Sequence, residues 1–409
     1  MLPLSRTGSA RLSVEVLEDR TTPTFLTRPG PQQLNVNGVG VPTGGLSIAV
    51  GNLLPDTGFG GLVENEYVTG TGPGMEGLVR VWRFNGRVAG QGGVPAFSFT
   101  PFAGFQGGLN VAVGDVLGDG TPEIIVAPAG NGPPHVKVFT ASGRELGSFM
   151  AFEPGFLGGV NLAVGNVLGG IAAGGFSGGA VSKDFKQEII VGAAAGGVPH
   201  VVVTDAAGTV FRSFLAFDLG YQGGVTVAAA SIDATRTAAF TVTGSDTNAY
   251  DEIIVGAATA IPHVKAFEVW TGAITERLSF YAFDPSIQQG VTVAAGTTAN
   301  RRGADIFVSQ IVPTTSTAAP AIRVYDATGA LQVQFSPFPS NYSRVVNMTV
   351  GYLTSGRYDP SDDDSQFFGF DSFDFLTQDL TVVAGDGPYE QAPRFFMGLP
   401  NAPAGSNGP

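Results

Sequence analysis

Residues 107–156 read GGLNVAVGDVLGDGTPEIIVAPAGNGPPHVKVFTASGRELGSFMAFEPGF, and much of the remaining chain repeats this stretch. The next two copies begin with GGVNLAVGNVLGG at residue 158 and GGVTVAAASIDA at residue 223. Each continues with EIIVG and a third apolar run that opens on Pro-His. Weaker copies start near residues 44, 290 and 345. Self-similarity at this period is the signature of a repeat architecture.

The repeats share their apolar runs, and they differ in length mainly at one place. Six small residues occupy equivalent positions and lie 51 to 66 residues apart: Gly51, Gly114, Gly165, Ala230, Gly296 and Gly351. The length differences fall mainly between the first and second apolar runs, so the insertions map to one face of the architecture. The largest insertions are residues 55–66, 169–186, 233–250 and 358–378.

Each unit contains four short apolar runs bounded by Gly, Pro and Asn. In the second unit they are residues 109–113, 123–127, 135–140 and 145–152. Runs of this length that are rich in Val, Ile and Phe are typical of β-strands, and 60 Gly and 27 Pro disfavour long helices. Four strands in each of six units predict an all-β chain, a β-propeller of six four-stranded blades. A seven-bladed ring is less favoured.

The two ends of the repeat region complement each other. The sixth unit stops after its third run, near Met397, whereas residues 33–37 (QLNVN) precede Gly44 as SFMAF precedes Gly158. We therefore predict that the N-terminal strand completes the last blade and closes the ring, which removes the open sheet edges. The predicted organisation is a tail over residues 1–24, a propeller over 25–400 and a second tail over 401–409.

Composition and charge exclude several classes of protein. The net charge is −13 and no basic block is present, which argues against nucleic-acid partners and anionic lipid surfaces. No apolar run reaches the roughly 18 residues of a membrane helix, so no membrane span is expected. The chain has no cysteine, which excludes disulfides, thiolate nucleophiles and Cys-ligated zinc. A monomer is expected.

These repeats resemble the FG-GAP/VCBS family, the module of integrin α-chain propellers, over roughly residues 33–399. The resemblance implies an extracellular or cell-surface protein used in adhesion and recognition. It also implies Ca²⁺ in the loop between strands one and two, held by a pattern like D-x-D-x-D-G-x-x-D. In the second unit Asp115, Asp119 and Glu123 match positions one, five and nine of that pattern, but Leu117 occupies position three.

Calcium at Asp115, Asp119 and Glu123 is thus the one cofactor that the sequence suggests. Ca²⁺ prefers six to eight oxygen ligands, and each missing carboxylate weakens the site. The alternative is an Asp-Gly turn whose acids are solvated.

An acid stands at position nine in all six units, just before the second strand. Six acids in register indicate one shared role, and accepting hydrogen bonds from backbone N–H groups of the preceding loop is favoured over six metal sites. These residues are Glu66, Glu123, Glu188, Glu252, Asp305 and Asp379.

The three histidines of the chain are also equivalent. His135, His200 and His263 each follow Pro and open the third strand of a unit. They could form a ring of metal or ligand contacts, or each imidazole could be bonded locally at the start of its strand. The local role is favoured, because equivalent positions on neighbouring blades lie too far apart to share an ion.

Two other patterns invite a functional interpretation. Gly175, Ser177 and Gly179 match G-x-S-x-G, but they lie in a Gly-rich insertion without the strand and helix of a nucleophile elbow, so no catalytic residue is predicted. Residues 358–374 (YDPSDDDSQFFGFDSFD) combine acids with Phe. They are expected to form a mobile, solvated loop, with a cation site or partner contact as the alternative.

The N-terminal residues 1–24 lack the apolar core of a secretory signal. The run RLSVEVLEDRTTPT instead resembles the short sorting motif (VE-x-LE-x-R type) of large surface proteins from planctomycete-type bacteria. That resemblance implies export or display on the bacterial envelope.

Together these patterns predict an exported or cell-surface, non-catalytic β-propeller that binds an unknown protein or glycan through its variable loops. One alternative is a propeller hydrolase or lyase with a site in the central channel. Another is a structural component of the envelope.

Overall fold

The computed structural model describes residues 46–55, 65–83, 95–168, 186–232, 250–296, 303–311, 320–336, 346–352, 378–384 and 394–397, with side chains up to residue 350. Within these ranges the chain forms β-strands and no helix. The strands are short, and Gly, Pro and Asn recur in the segments between them.

The first three sheets contain twelve strands. They are β1 (Leu46–Gly51), β2 (Glu66–Thr71), β3 (Val79–Arg83), β4 (Phe97–Phe99), β5 (Leu109–Gly114), β6 (Glu123–Pro128), β7 (His135–Phe139), β8 (Glu145–Met150), β9 (Val160–Gly165), β10 (Glu188–Ala193), β11 (His200–Thr204) and β12 (Val210–Leu215).

The remaining sheets contain eleven described strands. They are β13 (Val225–Ala230), β14 (Glu252–Ala257), β15 (His263–Glu268), β16 (Thr275–Tyr281), β17 (Val291–Gly296), β18 (Asp305–Gln310), β19 (Ile322–Tyr325), β20 (Leu331–Phe335), β21 (Val346–Tyr352), β22 (Gln378–Ala384) and β23 (Arg394–Met397).

Each sheet is an antiparallel meander in which consecutive strands pair, and the sheets are arranged as a β-propeller. Five sheets have four strands, and β21–β23 form a three-stranded sheet. The first strand of each sheet lies against the first strand of the next, and β21 lies against β1, so the first strands surround an axis. The prediction of an all-β propeller is confirmed, with five four-stranded blades. Residues 33–37 lie outside the described residues, so a four-stranded sixth blade stays a prediction.

The second strand of each blade forms the centre of the core. β6, β10 and β14 carry the repeated EIIV run, and every residue of the three strands is buried. Neighbouring blades cover both faces of these strands, so a continuous apolar run is required rather than alternation. The fourth strands β8, β12 and β16 have no buried residue, because they lie at the outer edge.

A circle of side-chain hydrogen bonds, here called the axial collar, joins the first strands. The residue at position two of each first strand donates to the backbone carbonyl at position one of the next, at 2.6–2.9 Å. The donors are Ser47, Asn110, Asn161, Thr226, Thr292 and Asn347, and the acceptors are Leu109, Val160, Val225, Val291, Val346 and Leu46. Asn347 thus bonds the three-stranded sheet to the first blade.

Close approach at the other end of the first strands explains the small residue at position six. A Cβ on Gly114 would lie 2.3 Å from Val164 Cγ1, and a Cβ on Gly51 would lie 2.4 Å from Val113 Cγ1. Real Cβ atoms do not come so close, so glycine is required there. In the fourth blade Ala230 occupies this position, and position five of the next blade holds Ala295 rather than Val.

The contact predicts a compensating pair of substitutions. Gly114→Ala should lower the free energy of unfolding by about 2 kcal/mol, because the added methyl overpacks the junction with Val164. Adding Val164→Ala should recover part of that loss, since it removes the Cγ1 atom that the new methyl would meet, while Gln187 Oε1 remains close. Urea unfolding measures both values.

Gly155→Ala is the matched control, because its new Cβ would have no atom within 4 Å. If the double variant lost the full sum of the two single losses, the two positions would not be in contact.

Candidate functional site

The antiparallel pairing gives the ring two different ends. At one end strand one stops and strand two starts, as where Gly114 pairs with Glu123. At the opposite end strand three starts beside the last residue of strand four, as where His135 pairs with Met150. The axial collar joins equivalent positions, so all blades point the same way. We call these the loop end and the histidine end.

At the loop end, buried glutamates hold the first residues of the variable loops. Glu66 Oε2 accepts the N–H groups of Leu53 and Leu54 at 2.9 and 3.0 Å. Glu123, Glu188 and Glu252 occupy the same position and accept backbone N–H groups of their own loops at 2.9–3.3 Å. Each carboxylate thereby accepts backbone donors from the residues that follow strand one and holds the base of the loop against the sheet.

The last two acids of this register are less fully described. Asp305 starts β18 and is buried like the glutamates. Asp379 lies on β22, and its side chain is outside the described part of the chain.

The loop of Asp115 is closed by its own backbone. Asp115 Oδ1 accepts the N–H groups of Gly118 and Asp119, at 2.7 and 3.1 Å, and Oδ2 accepts that of Gly120 at 2.7 Å. Asp119 Oδ1 accepts the N–H of Thr121 at 2.9 Å. Backbone N–H groups therefore bond both carboxylate oxygens of Asp115 and one of Asp119.

Asp115, Asp119 and Glu123 would be the carboxylate ligands of a Ca²⁺ ion, which prefers six to eight oxygens and would need further ligands there. Among the described residues, no group of three or more His, Asp or Glu is placed to hold a metal ion. Calcium at Asp115, Asp119 and Glu123 stays a prediction.

Burial changes the acid–base behaviour of Glu123. Only 3% of this residue is exposed, and desolvation raises its pKa from 4.5 to about 7. The nearby charges of Asp119 and Asp115 add to the rise, while the N–H groups of Val116 and Leu117 oppose it. The folded protein thus binds this proton more tightly than the unfolded chain. The contribution stabilises the fold at acidic pH and is lost as pH rises from about 4.5 to about 7.

Glu123→Gln should remove this pH dependence, because the amide keeps an acceptor oxygen without a charge. At pH 5 the variant and the parent should have similar free energies of unfolding. At pH 8 the variant should be more stable by roughly 2 kcal/mol. Urea unfolding at both pH values measures the difference, with exposed Glu153→Gln as control. A variant that is less stable than the parent at pH 8 would mean that the folded loop favours the ionised carboxylate.

At the histidine end, three successive blades carry the same pair of polar side chains. Nε2 of His135 shares a hydrogen bond with Ser148 Oγ at 2.7 Å. The His200–Ser213 and His263–Ser279 pairs repeat this bond at 2.7 and 2.9 Å. In every pair the histidine opens strand three and the exposed serine lies on strand four.

Each imidazole is packed against an aromatic ring from the connection that leaves the preceding blade. The ring centroids of Phe102 and His135 lie 5.4 Å apart, and Phe152 and Phe217 take the same place beside the other two histidines, at 5.0 and 5.3 Å. Burial lowers the pKa of all three histidines below 6.5, so the imidazoles are neutral at neutral pH.

A large apolar side chain stands beside every histidine. Met150, Leu215 and Tyr281 pair with the histidines in the strand register and are 45%, 41% and 52% exposed. Tyr281 also lies over His263, with ring centroids 4.6 Å apart. Each of these three blades thus presents a neutral donor–acceptor pair next to an apolar surface.

The serines and the packing rings were not singled out from the sequence, although a signal was present. The motif S-F-x-A-F occurs at residues 148–152, 213–217 and 279–283. Its serine bonds the histidine of its own blade, and its last Phe packs on the next blade. Each imidazole is hydrogen-bonded to the serine of its own blade, and the role of the three histidines stays a prediction.

Several sequence predictions concern residues outside the described part of the chain. These are Gly175, Ser177 and Gly179, the acidic segment 358–374, the N-terminal tail 1–24 and the C-terminal tail 401–409. In the ranges that the structure describes, no helix is long and apolar enough to span a membrane.

The fold and its repeated sites define the class of protein, an all-β propeller whose two ends carry different side chains. No protein-family model matches the chain, and no curated protein matches it. Among solved structures it is similar to Saccharomyces cerevisiae Sqt1, with 12% identity over 82% of this chain and 69% of that chain and a TM-score of 0.40.

Two further structures are similar at the same level. The exotype rhamnogalacturonan lyase YesX shares 11% identity over 86% of this chain and 68% of that chain, with a TM-score of 0.37. The V. cholerae biofilm matrix protein Bap1 shares 15% identity over 80% of this chain and 43% of that chain, with a TM-score of 0.36. At these values the similarities assign no activity, ligand or partner to this chain.

Proposed function

We propose that this chain is an exported, cell-surface β-propeller of the FG-GAP/VCBS type that binds a protein or glycan partner without catalysing a reaction. One observation carries the proposal. A buried glutamate anchors the base of the loop between strands one and two in four blades, whatever the length of that loop.

The buried glutamates, here called the anchors, hold the base of each loop and leave the length of the rest of the loop free to vary. In the second blade the loop spans residues 115–122, whereas in the third it spans 166–187. Yet Val116 and Val167 donate equivalent hydrogen bonds to Glu123 and Glu188. Loops that vary at their tips and are fixed at their bases suit recognition, because binding residues concentrate on loops that a rigid scaffold positions.

The surface location rests on sequence resemblance. The N-terminal tail is similar to a bacterial sorting motif, and the repeats are similar to a family of adhesion modules. The absence of cysteine is compatible with export, because a large sheet core supplies the stability. A single calcium ion at the Asp115 loop belongs to the same proposal.

We also propose that the ring has six four-stranded blades and that residues 33–37 supply the missing strand. β23 is the last described strand of its sheet, so its outer edge is open among the described residues. The axial collar already joins this sheet to the first blade through Asn347 and Leu46. A strand from the N-terminus would cover that edge and make the sixth sheet equivalent to the others.

Engineered cysteines test this closure, since the natural chain has none. One cysteine replaces Phe395 on β23, and a second replaces each of residues 33–37 in turn. If the strands pair, at least one combination should form a disulfide under mild oxidation, because paired Cβ atoms come within bonding reach. Mass spectrometry after proteolysis identifies the bond.

The control places the fixed cysteine at Ser148, on the outer strand of the second blade. Equal cross-linking to Ser148→Cys and Phe395→Cys would mean that the N-terminal segment has no fixed place.

Shortened loops test the binding function. In the third blade residues 169–186 are replaced by Gly-Asp-Gly-Thr, which gives the loop the length of its second-blade counterpart and keeps Gln187 and Glu188. The corresponding shortening is made in blades one and four. We expect every variant to keep its melting temperature within a few degrees, because the anchors remain. At least one variant should bind native envelope fragments at least tenfold more weakly.

Binding is measured by co-sedimentation with and without millimolar calcium. If all the shortened variants bound the envelope as the parent does, the loops would not be the binding surface. A calcium dependence that disappears in Asp115→Asn would assign calcium to this loop.

A further inference from the structure

We propose that the histidine end is a second binding surface, a strip of three equivalent subsites for a neutral polysaccharide. The juxtaposition that carries this inference is a solvent-facing His–Ser pair beside an exposed apolar side chain, repeated on three successive blades. The inference rests on the proposed surface location, but not on the loop end, because the two surfaces lie at opposite ends of the ring.

The polar part of each subsite matches sugar hydroxyl groups. A neutral imidazole has one N–H donor and one acceptor nitrogen, and a serine hydroxyl can both donate and accept. The hydrogen bonds of 2.7–2.9 Å between them fix the relative positions of the two side chains. The Phe ring packed on each imidazole holds its plane. Each pair is therefore a preorganised donor and acceptor for neighbouring hydroxyls.

The apolar part of each subsite matches the C–H face of a sugar ring. Small-ligand sites combine apolar contact area with a few placed polar groups. Met150, Leu215 and Tyr281 provide that area, and Tyr281 adds an aromatic face. These large side chains are exposed at the same position of the strand register. Exposed edge strands usually carry charged residues there, so an apolar side chain on all three blades points to a contact surface.

The charges of the strip favour a neutral ligand. Lys137 pairs with Glu145, and Lys265 pairs with Glu276, with N–O distances of 2.9 Å in both cases. The three imidazoles are uncharged at neutral pH, because burial lowers each pKa. Since the whole chain carries a net charge of −13, it repels polyanionic glycans.

The repetition of the subsites favours a polymer. Successive blades repeat the same geometry around the ring, and a chain of identical sugars presents the same groups repeatedly. Occupying several weak subsites at once raises the overall affinity far above that of one. The strip is limited to blades two, three and four, because Leu78 and Ala321 occupy the histidine position in blades one and five.

Affinity electrophoresis tests the strip with dextran, xyloglucan and curdlan as neutral polysaccharides and alginate as the anionic contrast. The full chain should be retarded by at least one neutral polysaccharide and not by alginate. The triple variant Ser148→Ala/Ser213→Ala/Ser279→Ala should reduce retardation at least tenfold, and the triple His→Ala variant should do the same. Each single His→Ala change should cause a smaller, severalfold loss, because two subsites remain.

The three serine side chains are exposed, so their removal should leave the fold intact. Thermal unfolding shows whether both triple variants are folded. Arg144→Ala is the matched control, because Arg144 is exposed at the loop end. The proposal is overturned if no neutral polysaccharide retards the chain, or if the folded triple variants behave like the parent. It is also overturned if the strip's contribution to envelope binding disappears when envelope protein is digested, which would indicate a protein partner.

Failure here and failure of the proposed function remain distinguishable. Loss of envelope binding in the loop variants, together with normal binding in the triple variants, would overturn the strip alone. The opposite pattern would overturn the loop end alone. New reducing ends released from a retarding polysaccharide would overturn the non-catalytic assignment.

Discussion

The axial collar is the constraint on which the rest of the structure depends. Each first strand must approach the next closely enough for a Ser, Thr or Asn side chain to reach a backbone carbonyl. The same approach leaves room only for Gly or Ala at position six, where Gly114 faces Val164. Hydrogen bonds at one end of the first strands and small residues at the other therefore act together. They fix the spacing of the blades, and the spacing lets the EIIV strands bury both faces.

The loop end shows how the scaffold accepts insertions. The carboxylate of Glu123 or Glu188 takes the N–H groups of the residues that follow strand one. Any loop that supplies such donors at its base can be accommodated. The cost is a carboxylate kept away from water, which raises the pKa of Glu123. A buried acid thus provides the junction between an invariant sheet and a variable loop.

The histidine end has a different character. In blades two to four its polar pairs are neutral, Lys137 and Lys265 are paired with glutamates, and the loops between strands two and three are short. Phe152 lies in the connection that follows the second blade, and its ring packs on His200 of the third blade. Each subsite is therefore formed where two blades meet. A repeated junction produces a repeated surface, which is a property of the ring rather than of a single blade.

The sequence alone determined the repeat, the strand composition of its blades and the propeller, because four apolar runs separated by Gly and Pro allow little else. It also determined the register of acids and histidines, since equivalent positions must share one environment. Only the tertiary structure decided what those side chains contact. Ser148 lies thirteen residues from His135, and Asn347 lies at the other end of the chain from Leu46. A repeated motif such as S-F-x-A-F can mark the serine, but it does not show which residue the serine bonds. Antiparallel pairing also placed the acids and the histidines at opposite ends, because strand one ends where strand two begins and strand three begins where strand four ends.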